Sequence, residues 1–229
     1  MAMNSASTVF VVDGNAVERE ALRPLVESLG CAFGAFRTAN LFLKAISPGR
    51  PGCVIVDARL PGMSGLELRG ALAERGVWMP IIVTAGNADV PMAVEAMKAG
   101  AFDFIEKPFR AQHMLGCVRR AIAQDLRARE LDAQREESRV RLAMLSRRER
   151  QVLDLVCAGM STATVAGELG LRPKTVEAYR SHISKKMKAR NVADLVRMHH
   201  WAGEEHAGER WAEIRCDLER QSGSHELFC

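Results

Sequence analysis

The chain has 229 residues and a formal net charge of +4 at pH 7, from 32 lysines and arginines against 28 aspartates and glutamates. Apolar residues make up 48% and charged residues 26%, which is ordinary for a soluble globular protein and excludes a disordered or collagenous chain. No apolar run approaches the roughly 20 residues that span a bilayer, and the first residues lack the pattern of a secretory signal. We therefore expect a cytoplasmic protein that has no membrane partner.

The first half of the chain alternates strand-like and helix-like segments. Short apolar runs, several of them rich in β-branched residues, predict strands at 8–12, 53–56, 80–84 and 101–105, and a weaker apolar pattern predicts one at 32–36. Apolar residues at helical spacing predict helices at 16–29, 64–73, 89–99 and 110–123. This alternation predicts right-handed βαβ units and therefore a five-stranded parallel sheet that is covered by helices on both faces.

Polar side chains stand at the ends of four of these strands. Asp13, Asp57, Thr84 and Lys107 each lie at or just past the end of an apolar run. Polar residues often end strands simply because loops begin there. However, the carboxyl ends of parallel strands meet at one edge of the sheet, where such sheets bind ligands. Two carboxylates, a hydroxyl and an amine at one edge have complementary chemistry and predict a functional site.

The second half is predicted to be all-helical. Residues 124–143 are charge-rich and contain no Gly or Pro, which predicts a helix that extends the first half, as a solvated linker or as a short partner-binding coil. Ser146 and Glu149 form a capping-box pattern that opens a helix to about Ala158. Further helices are predicted at 162–169, 173–189 and 192–200. The second and third of these four are joined by a short turn after Gly170, as in a helix-turn-helix.

The net charge is unevenly distributed between these regions. Residues 1–125 carry +1 and residues 126–140 are neutral, whereas residues 141–198 carry +7 and residues 199–229 carry −4. A near-neutral half followed by a compact basic block predicts two modules, of which the second binds a polyanion such as double-stranded DNA.

Motifs in both halves resemble a known family. The first half contains Val54-Ile-Val-Asp57-Ala-Arg-Leu-Pro-Gly62, Ile81-Ile-Val-Thr84-Ala85 and Asp103-Phe-Ile-Glu-Lys107-Pro-Phe109, in the order and spacing of receiver domains. The second half contains Leu145-Ser-Arg-Arg-Glu149 and Thr175-Val-Glu177, which are similar to LuxR-type DNA-binding domains. Together they resemble two-component response regulators of the FixJ/NarL class.

The resemblance implies an architecture. It implies a flavodoxin-like receiver domain, an α/β fold with a doubly wound, five-stranded parallel sheet, over residues 1–124. A helical linker over 125–143 and an all-α, LuxR-type helix-turn-helix domain over 144–200 would follow, and an acidic tail would occupy 201–229.

The resemblance also implies a phosphorylation site. Asp57 would accept a phosphoryl group from a sensor histidine kinase, with Mg²⁺ held by Asp13, Asp57 and the backbone carbonyl of Arg59. Lys107 would neutralise the phosphoryl charge, while Thr84 and Phe104 would be the switch residues. The Lys107-Pro108 bond is a candidate cis peptide, because X-Pro bonds adopt cis at low cost.

The first strand departs from the family pattern. Relatives carry two adjacent acids after this strand, whereas this chain has Asp13-Gly14. Gly14 stands in the position of the usual direct metal ligand, and Asp13 in that of the acid that acts through water. Asn15 is an alternative neutral ligand. We therefore expect weak Mg²⁺ binding, and phosphorylation of Asp57 that is impaired or needs more metal.

The third helix of the second half carries the candidate DNA contacts. Base-reading positions near its start are Lys174, Thr175, Glu177, Ala178, Arg180 and Ser181. Phosphate contacts are expected from Lys185, Lys186 and Lys188. The alternative for these lysines is a solvated helix face. Two departures from relatives are Arg172, where a capping Ser is common, and Thr162-Ala163, where Asn-Lys is common.

Three functions are compatible with these residues. The first is a transcription regulator that phosphorylation at Asp57 converts into a DNA-binding homodimer. The second is a pseudo-receiver regulator whose first half binds a protein without phosphate, which Gly14 favours. The third is an aspartate-nucleophile phosphohydrolase, but Arg59 occupies the position of its second Asp, and we find no other catalytic constellation. We expect the first and do not expect an enzyme.

Overall fold

A computed structural model describes residues 7–203, and the predicted tail at 201–229 lies almost wholly outside this range. The chain divides into two units, Met1–Arg127 and Ala128–Cys229. None of the helices within 7–203 is long and apolar enough to cross a membrane.

The first unit is built on a five-stranded parallel sheet with the order β2-β1-β3-β4-β5. The strands are β1 (Thr8–Val12), β2 (Ala32–Phe36), β3 (Gly52–Asp57), β4 (Ile81–Ala85) and β5 (Asp103–Glu106). The three inner strands are buried almost throughout, as expected for strands covered on both faces. The predicted sheet is confirmed.

Helices cover both faces of this sheet. They are α1 (Ala16–Glu27), α2 (Ala39–Ala45), α3 (Gly65–Ala73), α4 (Val90–Lys98) and α5 (Ala111–Ala143). Alternate residues of β1 enter different cores: Phe10 and Val12 pack with α2 and α3, whereas Val9 and Val11 pack with α1 and α5. The doubly wound α/β fold is therefore confirmed.

One helix of the first unit was not predicted. The seven residues of α2 are too few to display two turns of apolar periodicity, and they are followed closely by Pro and Gly. The Thr38 hydroxyl caps the helix by accepting from the backbone N–H of Leu41. The predicted continuation of the last helix through the charge-rich segment is confirmed, since α5 runs unbroken to Ala143.

In the part of the second unit that the structure describes, four short helices follow α5 and pack around an apolar core. They are α6 (Arg147–Cys157), α7 (Thr162–Leu169), α8 (Pro173–Met187) and α9 (Val192–Gly203). The predicted capping box at Ser146 and Glu149 is present. Gly170 ends α7 in the left-handed conformation with φ 62°, which places α8 directly after the turn, as a helix-turn-helix requires.

Candidate functional site

The strand register gathers the predicted polar residues at one edge of the sheet. Asp57, the last residue of β3, pairs with Thr84 in β4. Asp13 follows β1, which neighbours β3 on its other side, and Lys107 follows β5. The parallel arrangement thus brings together side chains at the ends of four strands, and Glu18 of α1 joins them. We define the acidic pocket as Asp13, Glu18, Asp57, Thr84 and Lys107.

Lys107 lies at the centre of the acidic pocket. Its Nζ donates to Asp13 Oδ2 at 2.7 Å and also to Glu18 Oε2, and it lies 3.9 Å from Asp57 Oδ1. Burial of the ammonium acts to lower the pKa of Lys107, but the hydrogen bonds with the two carboxylates outweigh it and raise the pKa. The pocket therefore holds a fixed positive charge beside Asp57 at neutral pH.

Asp13 is held tightly and is almost completely buried. Its Oδ1 accepts from the backbone N–H of Asn15 at 2.8 Å while its Oδ2 binds Lys107. Arg19 donates to the backbone carbonyl of Asp13 at 2.6 Å. Both carboxylate oxygens of Asp13 thus accept hydrogen bonds, and one of them holds the ammonium of Lys107 in place.

Asp57 is the more accessible of the two predicted carboxylates, with 20% of its side chain exposed. The backbone N–H of Arg59 lies 3.4 Å from Oδ1, which places the main chain of Arg59 against the carboxylate. Its distances to donors are longer than those of Asp13, so its oxygens are less engaged. An accessible, weakly engaged carboxylate beside an ammonium is suited to nucleophilic attack on an anionic phosphoryl group.

The predicted switch residues lie on the two strands beside Asp57. Thr84 is buried, and its Oγ1 donates to the carbonyl of Val56 at 3.3 Å. Phe104 is half-buried and packs against the core that contains α3 and α4 residues. The Lys107-Pro108 peptide is cis, as predicted.

Glu18 is a pocket residue that the sequence analysis missed. It lies in the first turn of α1, and its Oε1 accepts from the side chain of Asn15 at 3.2 Å while its Oε2 binds Lys107. The sequence pattern that could have identified Glu18 is its position five residues after Asp13, in the first turn of the helix that follows β1. The end of β1 is also where the second acid of the family pattern is missing. The Asn15 side chain also accepts from the N–H of Val17 and so begins the helix.

Gly14 has no steric reason to be a glycine. Its φ is not positive, and a Cβ built on it would meet no heavy atom within 4 Å apart from those of its two chain neighbours. A side chain at this position would therefore extend into open space beside Asp13. The backbone at position 14 therefore does not require glycine. The absence of an acid at this position changes the charge of the pocket.

The donor types of the pocket suit Mg²⁺, which prefers carboxylate and carbonyl oxygens. The Lys107 ammonium lies among the carboxylates of Asp13, Glu18 and Asp57. Across residues 7–203, no group of three or more histidine, cysteine, aspartate or glutamate side chains is arranged to hold a metal ion.

In the second unit, α8 presents one face to the core and another to solvent. Val176, Ile183 and Met187 are buried. The exposed side chains include most of the predicted DNA contacts: Lys174, Thr175, Glu177, Ala178, Ser181, Lys185, Lys186 and Lys188. We call these residues, together with Arg180, the α8 surface. Their spacing of three, four and seven residues forms a continuous polar stripe.

Two basic residues of the α8 surface are bound within the unit. Lys186 Nζ donates to Glu149 Oε2 at 2.7 Å, and this bond lowers the pKa of Glu149 to about 2, with help from the backbone N–H of Ser146. Arg180 donates to Thr162 Oγ1 on α7 at 3.1 Å. The Lys186 ammonium therefore also stabilises the packing of α6 on α8.

The start of α8 lacks a side-chain cap. Arg172 is the N-cap residue and makes no capping hydrogen bond, whereas Ser146 and Ser161 cap α6 and α7. Pro173, at the first helical position, has no N–H to satisfy, which reduces the cost of this missing cap.

Comparisons with known proteins match both units. Residues 9–119 match the response regulator receiver domain, and residues 143–199 match the family of bacterial regulatory proteins of the luxR type. The transcriptional regulatory protein FixJ of Azorhizobium caulinodans is 43% identical over 201 residues, 88% of this chain and 95% of the relative. The response regulator protein TmoT of Ectopseudomonas mendocina is 42% identical over 192 residues, 84% of this chain and 87% of the relative.

Solved structures agree with these relatives. The structure of the response regulator StyR is 36% identical and covers 85% of this chain and 98% of its own, with a TM-score of 0.72. Full-length FixJ from B. japonicum is 37% identical and covers 87% of this chain and 98% of its own, with a TM-score of 0.51. The chain therefore belongs to the FixJ-like response regulators, the transcription regulators of two-component systems that join a receiver domain to a LuxR-type DNA-binding domain.

Proposed function

We propose that phosphorylation of Asp57 by a sensor histidine kinase switches this transcription regulator into a DNA-binding dimer. The observation that carries the proposal is the Lys107 ammonium, held by Asp13 and 3.9 Å from the accessible carboxylate of Asp57. We place the receiver domain at 1–124, the linker at 125–143, the DNA-binding domain at 144–200 and the acidic tail at 201–229. Because its target is DNA, we place the protein in the cytoplasm.

The chemistry is a phosphoryl transfer between two side chains. A carboxylate oxygen of Asp57 forms a bond to the phosphorus of a phosphohistidine, the phosphorus–nitrogen bond breaks, and the electron pair stays on the imidazole. Lys107 neutralises the growing negative charge on the phosphoryl oxygens. Asp13, Asp57 and the carbonyl of Arg59 are the proposed holders of Mg²⁺, which supplies further positive charge when bound. Thr84 then turns its hydroxyl to a phosphoryl oxygen, and Phe104 moves with it.

The α8 surface is the proposed DNA interface. A helix-turn-helix inserts its second helix into the major groove, with residues near its N-terminus at the base edges. Glu177 is suited to accept from a cytosine amino group and Arg180 to contact guanine or phosphate. Lys185 and Lys188, exposed at the other end of α8, are suited to neutralise phosphates. A dimer would bind two half-sites arranged as an inverted repeat.

Acetyl phosphate labelling tests the receiver chemistry. We expect a single phosphorylated species in the full chain, separated on a phosphate-affinity gel, and we expect it to be absent from Asp57→Asn. Asp103→Asn is the matched control, since that carboxylate lies at the other end of β5 and pairs with Arg120. Equal labelling of Asp57→Asn and the wild type would contradict the assignment of Asp57.

Footprinting at several salt concentrations tests the DNA interface. We expect protection of an inverted repeat. We also expect the slope of log affinity against log salt concentration to fall by about one for each phosphate-binding lysine that is removed. Lys188→Ala is the test variant. Lys44→Ala, the same charge change in α2, is the control. An unchanged salt slope for Lys188→Ala would contradict its proposed phosphate contact.

A second candidate is a receiver that acts without phosphate. Gly14 favours it, because one acid is missing from the pocket. The FixJ relatives are transcriptional regulatory proteins, which argues against a phosphohydrolase. If Asp57→Asn and unphosphorylated wild type bind the protected DNA as tightly as phosphorylated wild type does, the phosphate-independent candidate is favoured.

A further inference from the structure

We propose that Thr162 is a positioning residue for DNA binding: its hydroxyl holds the Arg180 guanidinium at the start of α7, where Arg180 contacts a DNA phosphate instead of a base. The inference rests on the proposed function of the α8 surface as the DNA interface. It gives Arg180 one of the two contacts, to guanine or to phosphate, for which this side chain is suited.

Arg180 points in a different direction from its neighbours on the α8 surface. Glu177, Ala178 and Ser181 are exposed, whereas Arg180 is half-buried. Its Nη1 donates to Thr162 Oγ1 at 3.1 Å, so the side chain extends toward α7. Successive residues of a helix are about 100° apart around its axis, which turns Arg180 well away from Ser181. The guanidinium therefore lies beside the start of α7 and not at the exposed centre of the α8 surface.

Both helices that carry this hydrogen bond are fixed by the core of the second unit. Thr162 is the first residue of α7, which is capped by Ser161 and anchored in the core by Val165. On α8, Val176 and Ile183 are buried in the same core. The guanidinium is thus held in one place before DNA binds. Fixing a long, flexible side chain in advance removes part of the ordering cost that binding would otherwise include.

The position of the guanidinium suits a phosphate of the DNA backbone. In a helix-turn-helix, the second helix lies in the major groove and the first helix crosses the backbone. A cation held at the start of α7 therefore lies closer to the backbone than the exposed residues of α8 do. A guanidinium has five N–H donors in a fork that matches the geometry of a phosphate, and the bond to Thr162 takes one of them.

Fluorescence anisotropy of the full chain tests the proposal, with its footprinted DNA, with single base-pair variants of that DNA, and at several salt concentrations. Arg180→Ala should lower the slope of log affinity against log salt concentration by about one and weaken all the DNA sequences by the same factor. Thr162→Val removes the hydroxyl and keeps the branched shape of the side chain. We expect it to weaken every sequence by about fivefold, because Arg180 is then ordered only on binding. Thr162→Ser keeps the hydroxyl and should bind as the wild type does.

Two further variants separate positioning from packing. Thr164→Val is the matched control: it is the same change on the same helix, but the Thr164 hydroxyl bonds to Ser161. We expect it to bind DNA as the wild type does. In the Arg180→Ala protein, Thr162→Val should weaken DNA binding no further, since its effect acts through Arg180. A hydroxyl that only stabilised the fold would have the same effect with and without Arg180.

Three results would overturn the proposal. The first is wild-type or tighter DNA binding by Thr162→Val. The second is an equal loss from Thr162→Val in the wild-type and Arg180→Ala proteins. The third is an Arg180→Ala protein that loses its preference at one base pair, which would make Arg180 a base contact.

Lys188→Ala, measured in the same titrations, separates this inference from the proposed DNA interface. If Lys188→Ala lowers the salt slope and Arg180→Ala does not, only the inference fails. If neither variant changes the slope, the α8 surface is not the DNA interface and the inference fails with it. All proteins are compared without acetyl phosphate, so a failure of Asp57 labelling would refute the proposed switch and leave this test intact.

Discussion

The acidic pocket and the α8 surface use charge in opposite ways. In the pocket, carboxylate oxygens of Asp13, Glu18 and Asp57 lie within 4 Å of Lys107 Nζ, and Asp13 is almost fully buried. On α8, most of the predicted contact residues point into solvent. Covalent chemistry on one phosphoryl group requires groups that are fixed before the reaction, because reorganisation would cost free energy in the transition state. Binding to a polyanion requires only cations on a rigid scaffold.

This difference predicts how the two regions respond to substitution. Removing one charge from the pocket leaves its partners without a counter-charge at short distance, and Asp13 among them is buried, so the effect on chemistry is large. Removing one exposed lysine from α8 leaves no buried partner and changes stability little. Lys186 is the exception, since it is on α8 but bonded to the buried Glu149.

The largest effect is expected for Lys107→Ala. Phosphorylation by acetyl phosphate should slow by roughly 100-fold, the usual cost of losing one fixed donor to the reacting group. The rate is measured on phosphate-affinity gels. Lys98→Ala, an exposed lysine in the last turn of α4, is the control and should react normally. A Lys107→Ala protein that reacts at the wild-type rate would show that the ammonium plays no part in the transfer.

Lys186→Ala compared with Lys185→Ala separates packing from DNA binding. Lys186→Ala leaves the Glu149 carboxylate without its ammonium and should destabilise the second unit by about 2 kcal/mol. Lys185→Ala should change stability by less than about 0.5 kcal/mol while lowering the salt slope of DNA binding. Hydrogen exchange of peptides from α6 and α8 gives the stabilities. Equal protection of the α6 and α8 amides from exchange in both variants would show that Lys186 has no structural role.

Acid should weaken the second unit through Glu149. Its pKa is lowered to about 2 from its ordinary value of 4.5, first by Lys186 and then by the N–H of Ser146. A lowered folded-state pKa contributes stability above the unfolded value, and this is lost as pH falls from about 4.5 to about 2. The expected loss is roughly 1–2 kcal/mol. Urea unfolding at each pH gives the free energy of unfolding, and Glu149→Gln should lack the part of its pH dependence that comes from Glu149. If Glu149→Gln and the wild type show the same pH dependence, the prediction is contradicted.

The smallest effect is a gain, from Arg172→Ser. A serine at this N-cap can accept from a free backbone N–H of α8, which should stabilise the second unit by roughly 0.5–1 kcal/mol. The readout is the urea midpoint of unfolding, with Ser161→Ala, the loss of an existing cap on α7, as the opposite control. A lower midpoint for Arg172→Ser would mean that the arginine stabilises the helix in another way.

The features that could be predicted from the sequence are those that follow from the order of the strands and from the apolar spacing of the longer helices. Asp57, Thr84 and Lys107 were brought together correctly because the ends of parallel strands share one edge. Glu18 was missed because its role depends on the direction of a side chain from a helix, which spacing does not encode. The bond of Lys186 to Glu149 was missed because it joins residues 37 positions apart. The short α2 lacked sufficient periodicity.

The central claim is that phosphorylation in the first unit raises the DNA affinity of the second. The most direct measurement is fluorescence anisotropy of the full chain with its footprinted DNA, with and without acetyl phosphate and Mg²⁺, with the phosphorylated fraction measured in the same samples. We predict an affinity increase of at least about fivefold, typical of coupled sites, in the wild type and none in Asp57→Asn. Equal affinities at full Asp57 phosphorylation would contradict the account.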